Sequence, residues 1–185
     1  YGGPTAWKLR AALAALLVPT YGIYTGYELM ECVARPGVEE QIDNEKYEFK
    51  NRHWEDYEPG GAKEGQSLAG YLTMLNTVRK AHPALHWLRN LHFHHAPDDA
   101  VSCFSKTRVL PDGRRDTVIV VANLDPHSTR ETQVDLDLPA LGLPWGATFT
   151  VRDAVTGAEW EWGQANYVRL GADTEPVHVL EVLQP

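Results

Sequence analysis

Cysteine, basic runs and long apolar runs are what this sequence has least of. Cys32 and Cys103 are the two cysteines among 185 residues, too few for a disulfide framework. No basic run is longer than Arg114-Arg115 and the formal net charge is −8, which argues against a nucleic-acid or anionic-membrane partner. The longest apolar run, Ala11–Val18, falls well short of the roughly 20 residues of a membrane-spanning helix. We therefore expect a reduced, cytoplasmic protein that binds neither nucleic acid nor membranes.

The chain begins with a pattern that predicts a helix followed by a strand. Thr5–Val18 repeats apolar residues on a helical period, and Pro4 stands where a first-turn proline is tolerated. Pro19 ends this predicted helix, because proline cannot continue it. Tyr21–Leu29 is an apolar, aromatic run that is compatible with a β-strand.

A long polar stretch and a second helix come next. Residues 30–64 contain many charges and several proline and glycine breakers. A loop of this length in a compact protein is usually functional or disordered. Ser67 is suited to cap the start of a helix over Leu68–Lys80, and His82-Pro83 would end it.

From Leu91 onward, short β-rich segments alternate with turns. Pro111-Asp-Gly113 is a strong hairpin signal, and Asp153–Gly157 is a second turn region. Eight short strands with frequent turns predict an antiparallel sandwich. The predicted strands are Leu91–His95, Val101–Thr107, Thr117–Asn123, Glu131–Leu138, Thr148–Arg152, Glu159–Trp162, Tyr167–Leu170 and Val177–Val182.

The change from helical to β-rich sequence patterns near Leu91 divides the chain into two different parts. A hydrophobic content of 43% is enough for a packed core, in one domain or two small ones. Residues 1–90 hold one predicted strand between two helices, which is too little to close a barrel. Residues 91–185 could fold alone.

Two segments have residue patterns that are specific to one enzyme family. Pro19-Thr-Tyr-Gly-Ile-Tyr-Thr-Gly-Tyr-Glu-Leu29 and Asp43-Asn-Glu-Lys-Tyr47 resemble the last barrel strand and following loop of glycoside hydrolase family 13, the α-amylase superfamily. Within it they are most similar to the maltosyltransferases that use α-maltose 1-phosphate to extend α-1,4-glucans. Other segments that resemble this family, in its order, are Tyr1-Gly-Gly-Pro4, Lys8-Leu-Arg-Ala11, Leu75-Asn76, His82-Pro-Ala-Leu85, His92-Phe-His-His95 and Trp162-Gly-Gln-Ala-Asn-Tyr-Val-Arg169.

The resemblance implies a fold in two parts. Residues 1–90 would be the last helix-strand-helix of a TIM-type (β/α)8 barrel, and residues 91–185 a C-terminal, all-β antiparallel sandwich domain. Barrels of this type build their active sites from loops after several strands. The family's catalytic carboxylates belong to strands that precede residue 1, so the resemblance implies no catalytic residue in this chain and no turnover by the chain alone.

The resemblance also implies a reaction and its partners. The whole enzyme would be a retaining transferase that moves maltosyl units from maltose 1-phosphate to the non-reducing end of an α-1,4-glucan and releases phosphate. It would need no metal and no organic cofactor. Its partners would be these two carbohydrates and the N-terminal remainder of the enzyme, and the full-length protein would be a homodimer.

Lys46 and Tyr47 are the candidate substrate-binding residues. By the resemblance, this pair binds the maltosyl part of the donor. The chemistry suits that role, since an ammonium offers three hydrogen-bond donors to sugar hydroxyls and a phenol adds a further donor and a stackable face. Without the resemblance, a lysine beside a tyrosine in a charged loop is usually only solvated.

Carboxylates and histidines elsewhere have both functional and structural interpretations. Glu28 and Glu31 lie where an acid/base pair could lie, but the resemblance places the catalytic acids elsewhere and a structural role is favoured. His92 and His94 would share a strand face while His95 points away. No further ligand type follows at metal-site spacing, so packing is favoured over a metal centre.

Aromatic residues in the β-rich part support a second class of function. Trp145, Trp160, Trp162 and Tyr167 could form a sugar-stacking platform, although a sandwich core would also use Trp160 and Trp162. The alternative is therefore a non-catalytic carbohydrate-binding or structural module. A further alternative is part of another family 13 hydrolase or of a trehalose-forming enzyme.

Overall fold

The computed structural model describes residues 2–42 and 49–183. They form two compact units, Tyr1–Gly22 with Thr73–Pro185, and Ile23–Leu72. No helix in the described ranges is long and apolar enough to cross a membrane. The helices and strands are α1 (Gly3–Leu17), α2 (Ala69–Ala81), β1 (Leu91–His94), β2 (Val101–Val109), β3 (Arg115–Asn123), β4 (Arg130–Asp135), β5 (Phe149–Asp153), β6 (Glu159–Trp162), β7 (Ala165–Leu170) and β8 (Val177–Val182).

Helix α1 confirms the first predicted helix. Val18, the residue after its last turn, is extended (φ −118°, ψ 154°), because the proline at position 19 disfavours the helical region for its predecessor. Arg79 donates to the Ala15 carbonyl, one of those left open in the last turn of the helix. It also donates to the carbonyls of Val18 and Pro19 just beyond the helix, at 3.1 and 2.6 Å. The buried side of the helix consists of Ala6, Leu9, Ala11, Ala12, Ala15 and Leu16.

Helix α2 confirms the second predicted helix and its cap. The Ser67 hydroxyl accepts a hydrogen bond from the Ala69 backbone N–H at 3.0 Å, as an N-cap does. The helix ends at Ala81, and Pro83–His86 form a 3-10 turn after it.

The predicted strand at Tyr21–Leu29 is wrong. The segment contains a turn at residues 25–26 and a 3-10 helix at Tyr27–Leu29. Gly26 (φ 104°) and Met30 (φ 54°) take left-handed backbone conformations that interrupt an extended chain. A parallel barrel strand is held by hydrogen-bonded neighbours, and within the described ranges no other strand pairs with this segment. The barrel assignment of residues 1–90 stays a prediction.

The β-rich part is a sandwich-like antiparallel fold, as predicted. Its larger sheet has the order β1-β2-β3-β8-β5-β6, and its smaller sheet pairs β4 with β7. All eight predicted strands are present, with the largest difference at β4, which ends at Asp135 instead of Leu138. There Asp137 accepts from the Ala140 N–H and caps a 3-10 helix at Leu138–Leu141.

One apolar core lies between the two sheets. The hairpin β2–β3 closes through Gly113 (φ 86°), whose N–H donates to the Leu110 carbonyl at 2.9 Å, so the predicted turn is confirmed. Register pairs Cys103 with Val121 and Ser105 with Ile119, which directs alternate side chains of both strands inward. The core includes Val101, Cys103, Ile119, Val121, Val151, Trp162 and Leu180 of the larger sheet and Val134, Val168 and Leu170 of the smaller one.

Candidate functional site

The predicted substrate-binding residues, Lys46 and Tyr47, lie outside the described residues, as does the rest of 43–48. Their role therefore stays a prediction. The described residues on both sides of this segment belong to the unit Ile23–Leu72. Their contacts determine where the chain enters and leaves the segment.

The chain before residue 43 forms a small antiparallel turn. Ala34 and Gln41 form an isolated β-bridge. The Arg35 N–H donates to the Glu40 carbonyl at 2.7 Å, and the Ile42 N–H donates to the Val33 carbonyl at 2.8 Å. These bonds fix the backbone up to residue 42.

Two residues that follow residue 48, Lys50 and Arg52, form ion pairs with Glu31. Arg52 donates through Nε and Nη2 to the two carboxylate oxygens of Glu31 at 3.0 and 2.9 Å, and Lys50 Nζ lies 3.2 Å from Oε1. A bidentate, charge-assisted pair of this kind is stronger than a neutral hydrogen bond. The Glu31 side chain is 14% exposed. The hydrogen bond from Arg52 lowers the pKa of Glu31 below its usual value, because this effect outweighs burial, which raises it.

Glu28 and Gly26 also form contacts within this unit. The Glu28 carboxylate accepts from the Gly26 N–H at 3.1 Å, and its backbone carbonyl accepts from the Leu68 N–H at 2.7 Å. Only glycine fits at position 26, because an added Cβ would lie 2.3 Å from Glu31 Oε2 and the backbone is left-handed.

The two carboxylates therefore have the structural roles that were favoured for them. An ionised, ion-paired Glu31 is a poor proton donor, and Glu28 is engaged with its own backbone segment. The sequence pattern did not indicate a role for Arg52. Its partner is 21 positions away along the chain, and no local spacing rule connects them.

The three histidines are held by protein contacts. His94 Nε2 lies 2.8 Å from the Ser105 hydroxyl, and its Nδ1 accepts from the Asp137 N–H at 3.1 Å. Burial, then the neighbouring His92, lowers the pKa of His94 to about 4. His92 Nε2 lies 3.2 Å from an Asp137 oxygen, and His95 pairs through its backbone with Asp135. Within 2–42 and 49–183, no three potential metal ligands converge.

The two cysteines are both free thiols and differ in environment. Cys103 is buried, and burial raises its pKa to about 12. Cys32 is exposed.

The aromatic residues divide into core and surface. Trp162 is 6% exposed and belongs to the sandwich core, whereas Trp160 is 38% and Tyr167 is 65% exposed. All three line a cleft of about 570 Å³ formed by β6, β7 and neighbouring loops. Trp145, although 61% exposed, does not line it.

Most of the β-rich part of the chain matches a known protein family. Residues 93–182, which hold the sandwich, match the family described as "GLGE, C-terminal". This part of the chain belongs to that family.

The particular relatives are maltosyltransferases. The chain is 50% identical over 186 residues to α-1,4-glucan:maltose-1-phosphate maltosyltransferase 2 of Streptomyces coelicolor. It is 47% identical over 180 residues to the enzyme of that name from Corynebacterium glutamicum, and 39% identical over 183 residues to that of Mycobacterium tuberculosis. These alignments cover 97–100% of this chain and 25–26% of each relative. The predicted resemblance is confirmed, and the chain spans about a quarter of the length of these relatives.

Proposed function

We propose that this chain is the C-terminal part of a retaining maltosyltransferase. The full enzyme moves maltosyl units from α-maltose 1-phosphate to the non-reducing end of α-1,4-glucans and releases phosphate. The observation that carries this proposal is identity of 39–50% along nearly the whole chain to relatives with that name. The full-length protein is proposed to be a cytoplasmic homodimer that uses no cofactor.

The proposed chemistry proceeds in two displacements. An aspartate outside this chain attacks the anomeric carbon of maltose 1-phosphate, the C1–O bond breaks, and phosphate leaves. The 4-hydroxyl of the glucan then attacks the maltosyl–aspartate ester, loses its proton to a general base, and regenerates the carboxylate. Two inversions leave the α-configuration retained.

The role proposed for this chain is to present the donor-sugar site. Residues 1–90 are assigned to the end of a (β/α)8 barrel and residues 91–185 to the domain that follows it. Lys46 and Tyr47 are assigned to the maltosyl group of the donor. The support for this assignment is the pattern Asp43-Asn-Glu-Lys-Tyr47, together with the contacts that fix the chain before and after it.

Phosphate release tests the proposal. The full-length enzyme should release phosphate from maltose 1-phosphate in the presence of maltohexaose and lengthen the glucan in steps of two glucose units. The 185-residue chain alone should release none, because barrel active sites draw residues from several strands. Extension by one glucose unit would reject the maltosyl assignment, and steady turnover by the isolated chain would reject the location of the catalytic residues.

A second candidate function is a non-catalytic carbohydrate-binding module. The observation that favours it is the exposure of Trp160 and Tyr167 at one cleft. Glucan binding by this chain, with no phosphate release by the full-length protein, would select this alternative over the transferase.

A further inference from the structure

Glu31 holds the chain where it leaves the segment 43–48. Its carboxylate accepts two hydrogen bonds from Arg52, at 3.0 and 2.9 Å, and Lys50 Nζ lies 3.2 Å from the same group. These two partners are the third and fifth residues after Tyr47. One carboxylate therefore fixes two points of the chain shortly after the proposed donor-binding pair.

Val33 holds the chain where it enters the same segment. The Ile42 N–H donates to the Val33 carbonyl at 2.8 Å. Val33 lies two residues after Glu31, so the short stretch 31–33 is bonded to the chain on both sides of 43–48. Fixing both ends of a segment reduces the number of conformations open to it.

The position of Glu31 is itself fixed by the turn at Gly26. The Glu31 N–H donates to the Gly26 carbonyl at 3.2 Å. A Cβ added at Gly26 would lie 2.3 Å from Glu31 Oε2 and 3.0 Å from Arg52 Nη2, so both charged groups pack closely against this glycine. Arg52 Nη2 also donates to the Thr25 carbonyl at 3.1 Å. The guanidinium therefore contacts the turn and the carboxylate together.

The Glu31–Arg52 pair is shielded from water, unlike an ordinary surface pair. The side chains of Glu31 and Arg52 are 14% and 16% exposed, whereas those of Asp112 and Arg114 in the β2–β3 turn are 51% and 67% exposed. Removal of one partner of a shielded pair leaves an uncompensated charge, and exposed pairs contribute little. Loss of Arg52 should therefore disturb the surrounding chain, and loss of Arg114 should not.

Apolar packing does not replace this pair when it is broken. Among the described residues between 23 and 67, Gly26 is the one that is buried. Polar contacts, and not an apolar core, therefore hold the described part of this stretch. A region with few buried contacts opens at low cost in free energy, so the effect of breaking the ion pair should reach the segment 43–48.

We propose that Arg52 and Glu31 are positioning residues for the donor sugar. Their ion pair sets the geometry of the chain that carries Lys46 and Tyr47, and thereby the affinity for maltose 1-phosphate. This inference rests on the proposed function of those two residues. Arg52 and Glu31 act through the chain between them and not by contact with the sugar, as supporting contacts do in sites that need precise geometry.

The first test is steady-state kinetics of the full-length enzyme. Arg52→Gln should raise the KM for maltose 1-phosphate about tenfold, with kcat within about threefold and the KM for maltohexaose within about twofold of the parent. Arg52→Lys keeps the charge but loses the two-pronged contact and should give an intermediate donor KM. Arg114→Gln breaks the exposed pair and should behave as the parent. A purely structural role would lower the amount of active enzyme, and hence kcat, without raising the donor KM.

The second test is a mutant cycle with the donor-binding pair. In a background of Lys46→Ala with Tyr47→Ala, the contacts that Arg52 is proposed to position are already gone. Arg52→Gln should then raise the donor KM by less than about twofold. A further tenfold rise in this background would show that Arg52 acts elsewhere and would overturn the proposal.

Further variants and a second readout keep the outcomes distinct. Should Arg52→Gln fail to fold, Arg52→Lys and Lys50→Gln each remove less and should each raise the donor KM about threefold. An unchanged donor KM in every folded variant would refute the positioning role while leaving the transferase intact. A parent enzyme that releases no phosphate would refute the transferase. Hydrogen–deuterium exchange of that enzyme would then decide whether the pair holds the chain: faster exchange over 41–52 in Arg52→Lys would support it, and unchanged exchange would refute it.

Discussion

His82 Nδ1 lies 2.5 Å from Asp116 Oδ1, and this pair joins the turn after α2 to β3. The second ring nitrogen lies 3.0 Å from Glu181 Oε1 on β8, and the Ala84 N–H donates to Asp116 Oδ2 at 2.7 Å. Burial by itself would lower the pKa of His82, but the hydrogen bonds to both carboxylates raise it to about 9. A charged histidine between two carboxylates is a stabilising arrangement that depends on pH.

Stability should therefore fall as pH rises above neutrality. Because the folded pKa of His82 is above the unfolded value near 6.5, its stabilisation is complete below pH 6.5 and is lost as pH approaches 9. Between pH 6.5 and 8 the loss should be about 2 kcal/mol, measured by urea unfolding. His82→Gln should flatten this dependence, whereas His127→Gln, at an exposed position, should keep it. An unchanged slope in His82→Gln would contradict the prediction.

Lys106 should destabilise the folded chain at neutral pH. The residue is fully buried, and its ammonium has no hydrogen-bond partner among the described residues. Burial, then the positive charge of Arg79, lowers its pKa to about 8. Lys106→Met should increase the free energy of unfolding at pH 7 by about 1–3 kcal/mol, because it removes a charge that is costly to bury.

The benefit of Lys106→Met should shrink at high pH. A lysine with a lowered folded pKa loses its penalty as pH rises from about 8 towards its usual 10.5, where the unfolded chain also releases its proton. The exposed Lys80→Met variant controls for the loss of a positive charge and should have little effect. Destabilisation by Lys106→Met at pH 7 would mean that the ammonium has a partner.

Glu31→Gln should loosen the unit Ile23–Leu72 locally. The substitution weakens the bidentate pair with Arg52 and removes the ion pair with Lys50. Hydrogen–deuterium exchange should accelerate about tenfold in peptides covering 25–35 and 49–56, an opening free energy lower by about 1.4 kcal/mol. Exchange in β3 should not change. Glu58→Gln, an exposed control, should leave all peptides as they were, and the same result for Glu31→Gln would refute a structural role.

Lys46 and Tyr47 should recognise the donor sugar without taking part in bond cleavage. In the full-length enzyme, Lys46→Ala and Tyr47→Phe should each weaken binding of maltose 1-phosphate by about 1–3 kcal/mol, the cost of removing one partner of a buried hydrogen bond. Some loss of kcat should accompany the rise in KM, because remote binding energy helps to position the reacting bond. Steady-state kinetics measure both, with Lys80→Ala as control. Unchanged kcat and KM for either variant would identify that residue as solvated.

The local sequence pattern predicted most of the helices and strands. It failed for Tyr21–Leu29, because a strand there would need partners that are distant in the chain. Apolar spacing and Pro19 were enough for α1, and the Pro111–Gly113 turn was enough for the β2–β3 hairpin, because these signals act within a few residues. Tyr21–Leu29 has strand-like composition but pairs with no strand in the described ranges. Composition cannot report whether a partner strand is present.

By itself, the sequence determined the family and the existence of the sandwich, since both depend on motifs and alternation that are local in the chain. Only the tertiary structure decided that Trp162 is buried in the core while Trp160 and Tyr167 are exposed at the cleft, although Trp160 and Trp162 share one face of their strand. It also decided that Arg52 pairs with Glu31 and that His82 meets Glu181, 99 positions away. Burial and charge pairing are properties of the packed chain, because they depend on which distant segments exclude water from a side chain.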